Sequence, residues 1–170
     1  NISSEILIII TVILINAVFV LSEMSVASSR KARLQQRLNE GDQRAKTALE
    51  LIHNPNLFLA TVQIGITLVG VFVGAVGGVS LAEPLGALLA QIPLLIEYAD
   101  SLALAIVVVG ITFVSIIFGE LVPKRIALHN PEQIASALAG PMVVVSRLFA
   151  PFVWLLGKIT DFVLKIMGVK

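Results

Sequence analysis

Glu120 is the residue in this sequence best placed to do chemistry. It closes a run of nineteen uncharged residues, Ser101 to Gly119, and is followed at once by Pro123, Lys124 and Arg125 in the stretch GELVPKR. Gly119 permits close backbone approach or a local unwinding, and Pro123 cannot donate a backbone hydrogen bond, so carbonyl groups near residue 119 lose their intrahelical partners. A carboxylate beside unpaired carbonyls at the edge of a membrane is, in outline, a cation site made of hard oxygens. The same residues also allow a plainer reading, in which Glu120 sits at the interface and pairs with Lys124, Arg125 or the basic segment further upstream.

Other polar residues sit within apolar runs, where each must find a partner or a wet cavity. Ser22, Ser25 and Ser29 share one helical face at i, i+3 and i+7 beside Glu23, so their hydroxyls can converge. Each serine can equally bond back to a carbonyl of the preceding turn. Thr61, Gln63 and Thr67 interrupt a second run, in which Gly70, Gly74 and Gly78 make small-xxx-small spacing. That spacing points to tight helix packing, while Gly77-Gly78 could instead end or break the helix and free carbonyls for ions. Ser115 belongs with Glu23, Ser29 and Gln63 as a further oxygen for a cation cavity or a sodium ion. There are no cysteines, and the two histidines, His53 and His129, lie at element ends beside Asn-Pro. An all-oxygen set suits magnesium, calcium or sodium; copper and zinc would call for sulfur or imidazole.

These residues must be held by membrane helices. With 57% hydrophobic residues, 14% charged and a mean hydropathy of +0.97, the chain falls outside the soluble globular range. Three uncharged runs are long enough to span: Ile6 to Ser22, extending towards Arg30; Asn56 to Ala82, with 27 residues against the roughly 20 a bilayer needs; and Ser101 to Gly119. The expected spans are about 4–30, 56–81 and 101–121. Residues 31–54 read as a cytoplasmic helical hairpin, or a helix with a break at Gly41, with an apolar stripe through Leu34, Leu38, Ala45, Leu49 and Ile52. Residues 131–170, apolar with a basic residue about every ten and Trp154 among them, read as juxtamembrane helices along the inner leaflet; a fourth span is the competing reading.

Arg30, Lys31, Arg33, Arg37, Arg44 and Lys46 follow the first span and Lys124 and Arg125 the third, while only Glu83, Glu97 and Asp100 lie between the second and third. The positive-inside rule then puts the amino terminus outside and the carboxyl terminus in the cytoplasm. A net charge of +1 argues against nucleic acid as a partner. The first residue is Asn, so the chain reads as processed or cut, and its first apolar segment, without a basic n-region or small-residue cleavage site, as a retained helix. No Ser-His-Asp set, P-loop or zinc-ligand spacing is found, which argues against an enzyme.

The runs FVLSEMSVASSRKARL and LATVQIGITLVG, and above all GELVPK followed by ALHNPE, resemble the CorC/CNNM family of magnesium transporters along essentially the whole chain. The resemblance implies an all-α homodimer in the plasma membrane, with three transmembrane helices and a belt of juxtamembrane helices per protomer and an inward-facing acidic cavity. It implies Mg2+ bound through oxygens and exported with coupled Na+ entry, and cytoplasmic nucleotide-binding CBS modules, which lie outside this chain. By position, Ser22 and Ser25 match the first-helix ligands, and Gly119 and Glu120 the third-helix carbonyl and carboxylate; Glu23 is a carboxylate that sodium could occupy. One departure stands out: where many relatives have asparagines after the second-helix glycine, this chain has Gly65-Ile66-Thr67, and Thr67 is left to replace an amide oxygen. Gly70, Gly74, Pro123 and Lys124 take structural roles. Two other functions stay open: a membrane anchor or sensor for the cytoplasmic modules without transport of its own, and a polyamine exporter of the same fold.

Overall fold

The computed structural model describes residues 1–170, Val79 by its backbone alone. Among the described residues it is entirely helical. In chain order the helices are α1 (Ile2–Ser28), α2 (Lys31–Asn39), α3 (Arg44–His53), α4 (Asn56–Ser80), α5 (Ala82–Leu89), α6 (Ala99–Ile116), α7 (Val122–His129) and α8 (Pro131–Ile166). A 3₁₀ turn, Pro93–Tyr98, precedes α6, and a π-helical turn, Ile117–Leu121, joins α6 to α7. Among the described residues four stretches are long and apolar enough to cross a membrane: Ile2–Ser28, Asn56–Leu89, Pro93–His129 and Pro131–Ile166. The chain is a multi-pass membrane protein.

Its residues group into two compact units, the first made of Asn1–Leu21 and Gly65–Ile126, the second of Ser22–Ile64 and Ala127–Lys170. In the first, Ile9 and Ile13 of α1 and Val73 of α4 form a buried core surrounded by Val12, Val69, Val76, Leu81 and Ile111. Close packing is set by glycines. A Cβ on Gly65 would lie 2.7 Å from the Phe19 ring, and one on Gly77 would collide with the Cδ1 of Ile111. By contrast, a Cβ on Gly70 or Gly74 would meet nothing within 4 Å, so the close glycine contacts within the chain are those of Gly65 and Gly77. Nor does α4 break at Gly77-Gly78, since it continues to Ser80. Large apolar side chains such as Leu7, Phe72, Val109 and Phe113 are exposed, the surface expected of helices solvated by lipid.

In the second unit, α2 and α3 form a hairpin around Gly41, whose φ of +103° is a left-handed conformation that glycine adopts without strain. The N–H of Gly41 donates to the Leu38 carbonyl and that of Asp42 to the Arg37 carbonyl, a paired closure that satisfies the last carbonyls of α2. Asp42 then ties the turn, accepting from Arg37 Nη2 at 2.9 Å, from Arg44 Nε at 3.3 Å and from the Arg44 backbone N–H at 3.2 Å. Desolvation pushes its carboxyl upward, but the hydrogen bonds from Arg44 and Arg37, with the Arg44 charge, outweigh it and hold the group below its ordinary 3.8. A lowered pKa stabilises the folded state above the unfolded pKa of about 3.9, and that contribution is lost as pH falls through the folded value. The protection of the hairpin amides, measured against their intrinsic exchange rate at each pH, should therefore fall on acidification below about pH 4, and Asp42→Asn should remove that component. Identical acid profiles for the two proteins would contradict it.

The second unit also holds α8, which packs on α3 and buries Glu132, Ala135, Ser136, Ala139, Met142 and Ser146. Glu132 is buried, and its Oε1 accepts the backbone N–H of Arg30 at 3.1 Å, capping α2 from another helix. The structure differs here from the sequence reading of several juxtamembrane helices, because 131–166 form one continuous helix of 36 residues. Pro141 and Pro151 each remove one hydrogen bond without ending it, as proline does where surrounding packing and backbone adjustment satisfy the freed group.

Candidate cation site

Proline chemistry builds this site. Pro123 lacks the N–H that would bond the carbonyl of Gly119 four residues earlier, so that carbonyl needs another donor. The helix widens into the π turn at this point, with the Val122 N–H donating to the Ile117 carbonyl. Asn16, in the middle of α1, supplies the donor: its Nδ2 reaches the Gly119 carbonyl at 3.0 Å in a buried hydrogen bond. A Cβ on Gly119 would sit 3.1 Å from the same nitrogen, so glycine is what allows this approach. Such single π turns inside helices recur at functional sites.

The next residue, Glu120, is half-buried and faces a cavity of about 320 Å³ within the first unit. Its polar lining consists of Asn16, Thr112, Ser115 and Glu120, and its remaining walls are aliphatic or glycine. Thr112 is committed to the Val108 carbonyl at 2.6 Å. Glu120 makes no hydrogen bond or ion pair with any described residue, Lys124 and Arg125 included. The pairing that offered the plainer reading of this carboxylate is thus absent among the described residues.

The other expected residues are distributed as follows. Gly119, Glu120 and Ser115 come together in the first unit. Thr67 does not join them: it lies one turn before Gly70 on the same face of α4 but is exposed and outside the cavity wall. Gln63 is exposed as well. Ser22 and Ser25 are buried in the second unit, where Ser25 Oγ donates to the Ser22 carbonyl at 3.1 Å and Ser29 Oγ to the Ser25 carbonyl at 2.6 Å. Glu23 is half-buried there. Pro123 is buried and Lys124 half-buried at the start of α7. Sequence reasoning missed Asn16, although a lone amide inside the run Ile6 to Leu21 is a signal of the same kind as Gln63 and Thr67.

The described residues contain no cluster of three or more His, Cys, Asp or Glu side chains able to hold a metal. Any ion in this cavity would be held by one carboxylate together with neutral oxygens.

Comparison with known proteins agrees with this architecture. The family profile described as the cyclin M transmembrane N-terminal domain matches residues 7–170. Among curated relatives, the UPF0053 protein sll0260 of Synechocystis sp. is 46% identical over 169 residues, covering 99% of this chain and 38% of the relative. The polyamine export protein of Haemophilus influenzae is 33% identical over 156 residues, covering 92% and 36%, and that of Escherichia coli is 30% identical over 163 residues, covering 96% and 36%. The chain thus spans between a third and two fifths of the length of these relatives. With a match across nearly its whole length, the chain belongs to the CorC/CNNM family, as its cyclin M transmembrane N-terminal domain.

Proposed function

We propose that this domain carries a cation across the plasma membrane through the Glu120 cavity, and that Mg2+ is the ion its oxygens suit best. The observation that supports this is the state of Glu120: a carboxylate in the wall of a cavity, inside a candidate span, with no partner among the described residues. Charge in such a place is costly unless water or a counter-ion offsets it, and a passing cation does so. Mg2+ takes oxygen ligands in near-octahedral geometry while keeping several waters, so one carboxylate with a few neutral oxygens is a sufficient protein contribution. Here those oxygens are the Asn16 amide, the Ser115 hydroxyl and Glu120, with the Gly119 carbonyl held directly behind Asn16.

The family resemblance adds Ser22 and Ser25. A hydroxyl that donates to a carbonyl retains lone pairs for an ion, so the Ser25 bond is compatible with that role. Thr67 stays in the set on the resemblance alone, since it is exposed and outside the cavity wall, and Asn16 offers an amide oxygen from that wall. Export coupled to Na+ entry, with Glu23 as a candidate sodium carboxylate, a homodimeric assembly and cytoplasmic CBS modules in the full-length protein complete the proposal on the same ground.

The relatives named polyamine export protein favour a second reading, transport of a polyamine by the same fold. Isothermal titration of the detergent-solubilised chain in sodium-free buffer, with MgCl2 in one experiment and putrescine in another, separates the two. Binding of Mg2+ supports the first reading and binding of putrescine alone the second. Binding of neither would leave the anchor role as the better account and end the transport proposal.

A further inference from the structure

Ile9, Ile13 and Asn16 follow one another at i, i+4 and i+7, so Asn16 stands on the face of α1 that carries the buried core of the first unit. It is only 8% exposed. An amide at a core position inside a candidate span is costly unless its groups are satisfied, and a leucine there would need no partner. What Asn16 does that leucine cannot is donate from Nδ2 to the Gly119 carbonyl at 3.0 Å.

That bond fixes the orientation of the amide, since the reverse would set two acceptor oxygens against each other. It also falls on a particular carbonyl. Gly119 is buried within the π turn and is not among the residues lining the cavity, but it immediately precedes Glu120, which is. A widened turn that runs into Pro123 is held by fewer and poorer ladder hydrogen bonds than an α-helical one. A fixed point from another helix therefore decides where the next carboxylate stands. A Cβ on Gly119 would lie 3.1 Å from Asn16 Nδ2 and 3.7 Å from Ile13 Cγ2, so α1 meets the backbone of the turn directly.

Ion geometry gives this fixed point a consequence. Mg2+ demands near-octahedral oxygens at short range, whereas Ca2+ accepts about six to eight in flexible arrangements. Holding the carboxylate still favours Mg2+, and a turn free to shift gives that advantage up.

We propose that Asn16 is a positioning residue: its amide N–H pins the π turn through the Gly119 carbonyl, and the Glu120 carboxylate fixed in this way selects Mg2+ over Ca2+. This rests on the Glu120 cavity being the ion's site. A bond that merely held two helices together would serve equally well on any carbonyl and would not distinguish the ions.

The test is titration calorimetry with MgCl2 and with CaCl2, separately, at about pH 8 in sodium-free buffer. The proteins are the detergent-solubilised chain, Asn16→Asp, Asn16→Ser and Glu120→Gln, each with circular dichroism and size-exclusion chromatography. Asn16→Asp keeps the size of the side chain and an oxygen for the cavity, adds charge, and when ionised has no proton to donate. The unmodified chain should bind Mg2+ more tightly than Ca2+. Asn16→Asp should weaken Mg2+ binding about tenfold or more, as loss of a group that orients a ligand does, with Ca2+ weakened by no more than about threefold. Asn16→Ser, which can bond back to its own turn, should show the same narrowing of preference, and it keeps the test open if a buried charge unfolds Asn16→Asp. Asn16→Asp binding Mg2+ as tightly as the unmodified chain would make Asn16 a ligand through its oxygen alone, and equal loss of both ions would make it a packing residue. Either result overturns the proposal, as does an unmodified chain with no preference for Mg2+. Glu120→Gln reports on the underlying reading separately: if it binds both ions normally, the cavity is not the ion's site, whatever the Asn16 variants do.

Discussion

Glu120→Gln is expected to reduce Mg2+ binding about 100-fold or more, equivalent to about 2.8 kcal/mol at roughly 1.4 kcal/mol per decade. Glutamine keeps the size and the planar oxygen of the side chain and removes only the charge. Because Glu120 is the one carboxylate that lines the cavity, no second acid there is available to take over. Neutral oxygens alone hold a strongly hydrated ion poorly, which is why the effect should be large. The fold should persist, since the carboxylate has no hydrogen bond or ion pair with a described residue to lose. Relief of an uncompensated charge should raise the melting temperature in the absence of cation. Titration calorimetry checks the binding and thermal unfolding followed by circular dichroism checks the fold; a variant that binds Mg2+ within about threefold of the unmodified chain would remove Glu120 from the site.

Gly65→Leu is expected to be the most damaging single substitution to the packing of the first unit. Its Cβ alone would lie between 2.7 and 3.0 Å from three atoms of the Phe19 ring, closer than carbon atoms pack, and the ring is nearly buried. Overpacking of this kind costs about 1–3 kcal/mol. The origin can be checked by a second change: Phe19→Ala in the Gly65→Leu background vacates the space and should recover part of the loss, so that the two substitutions are less than additive in thermal unfolding. Strict additivity would mean that the ring and the glycine are not in contact. Because α1 carries Asn16 three residues before Phe19, loosening this contact should also weaken Mg2+ binding, by a smaller factor than Glu120→Gln.

How much of this was legible beforehand depended on the kind of signal. The helical class and the approximate extent of α1, α4 and α6 follow from uncharged runs, because a bilayer demands length and apolarity with little regard to which apolar residue is used. The hairpin turn was visible because Gly41 stands alone between two charged amphipathic segments, and its left-handed φ is the conformation glycine relieves. The unbroken α8 was not visible: Pro141 looks like a breaker in sequence, and only three-dimensional surroundings decide whether a helix passes through proline.

The site divides in the same way. Gly119, Glu120 and Pro123 announce a disturbed helix by their own chemistry, and the π turn at Ile117–Leu121 occurs there. The partner that completes it, Asn16, lies 103 residues away, and nothing local in either segment pairs them. Thr67 shows the converse. Its periodicity with Gly70 and Gly74 puts it on the right face, but spacing along a helix does not say where a cavity ends. Small-xxx-small spacing likewise singles out Gly70 and Gly74, while the close contacts within the chain fall on Gly65 and Gly77, a distinction that requires knowing which face meets a neighbour.

The central claim, that this chain moves a cation through the Glu120 cavity, is tested most directly by flux. Liposomes containing only the purified chain, loaded with a Mg2+-sensitive dye, would be given an outward or inward Mg2+ gradient with and without an opposing Na+ gradient, beside liposomes containing Glu120→Gln. The account predicts dye responses above protein-free liposomes for the unmodified chain and none above that background for Glu120→Gln. Equal Mg2+ flux in the two proteins, or none in either with putrescine also retained, would contradict it.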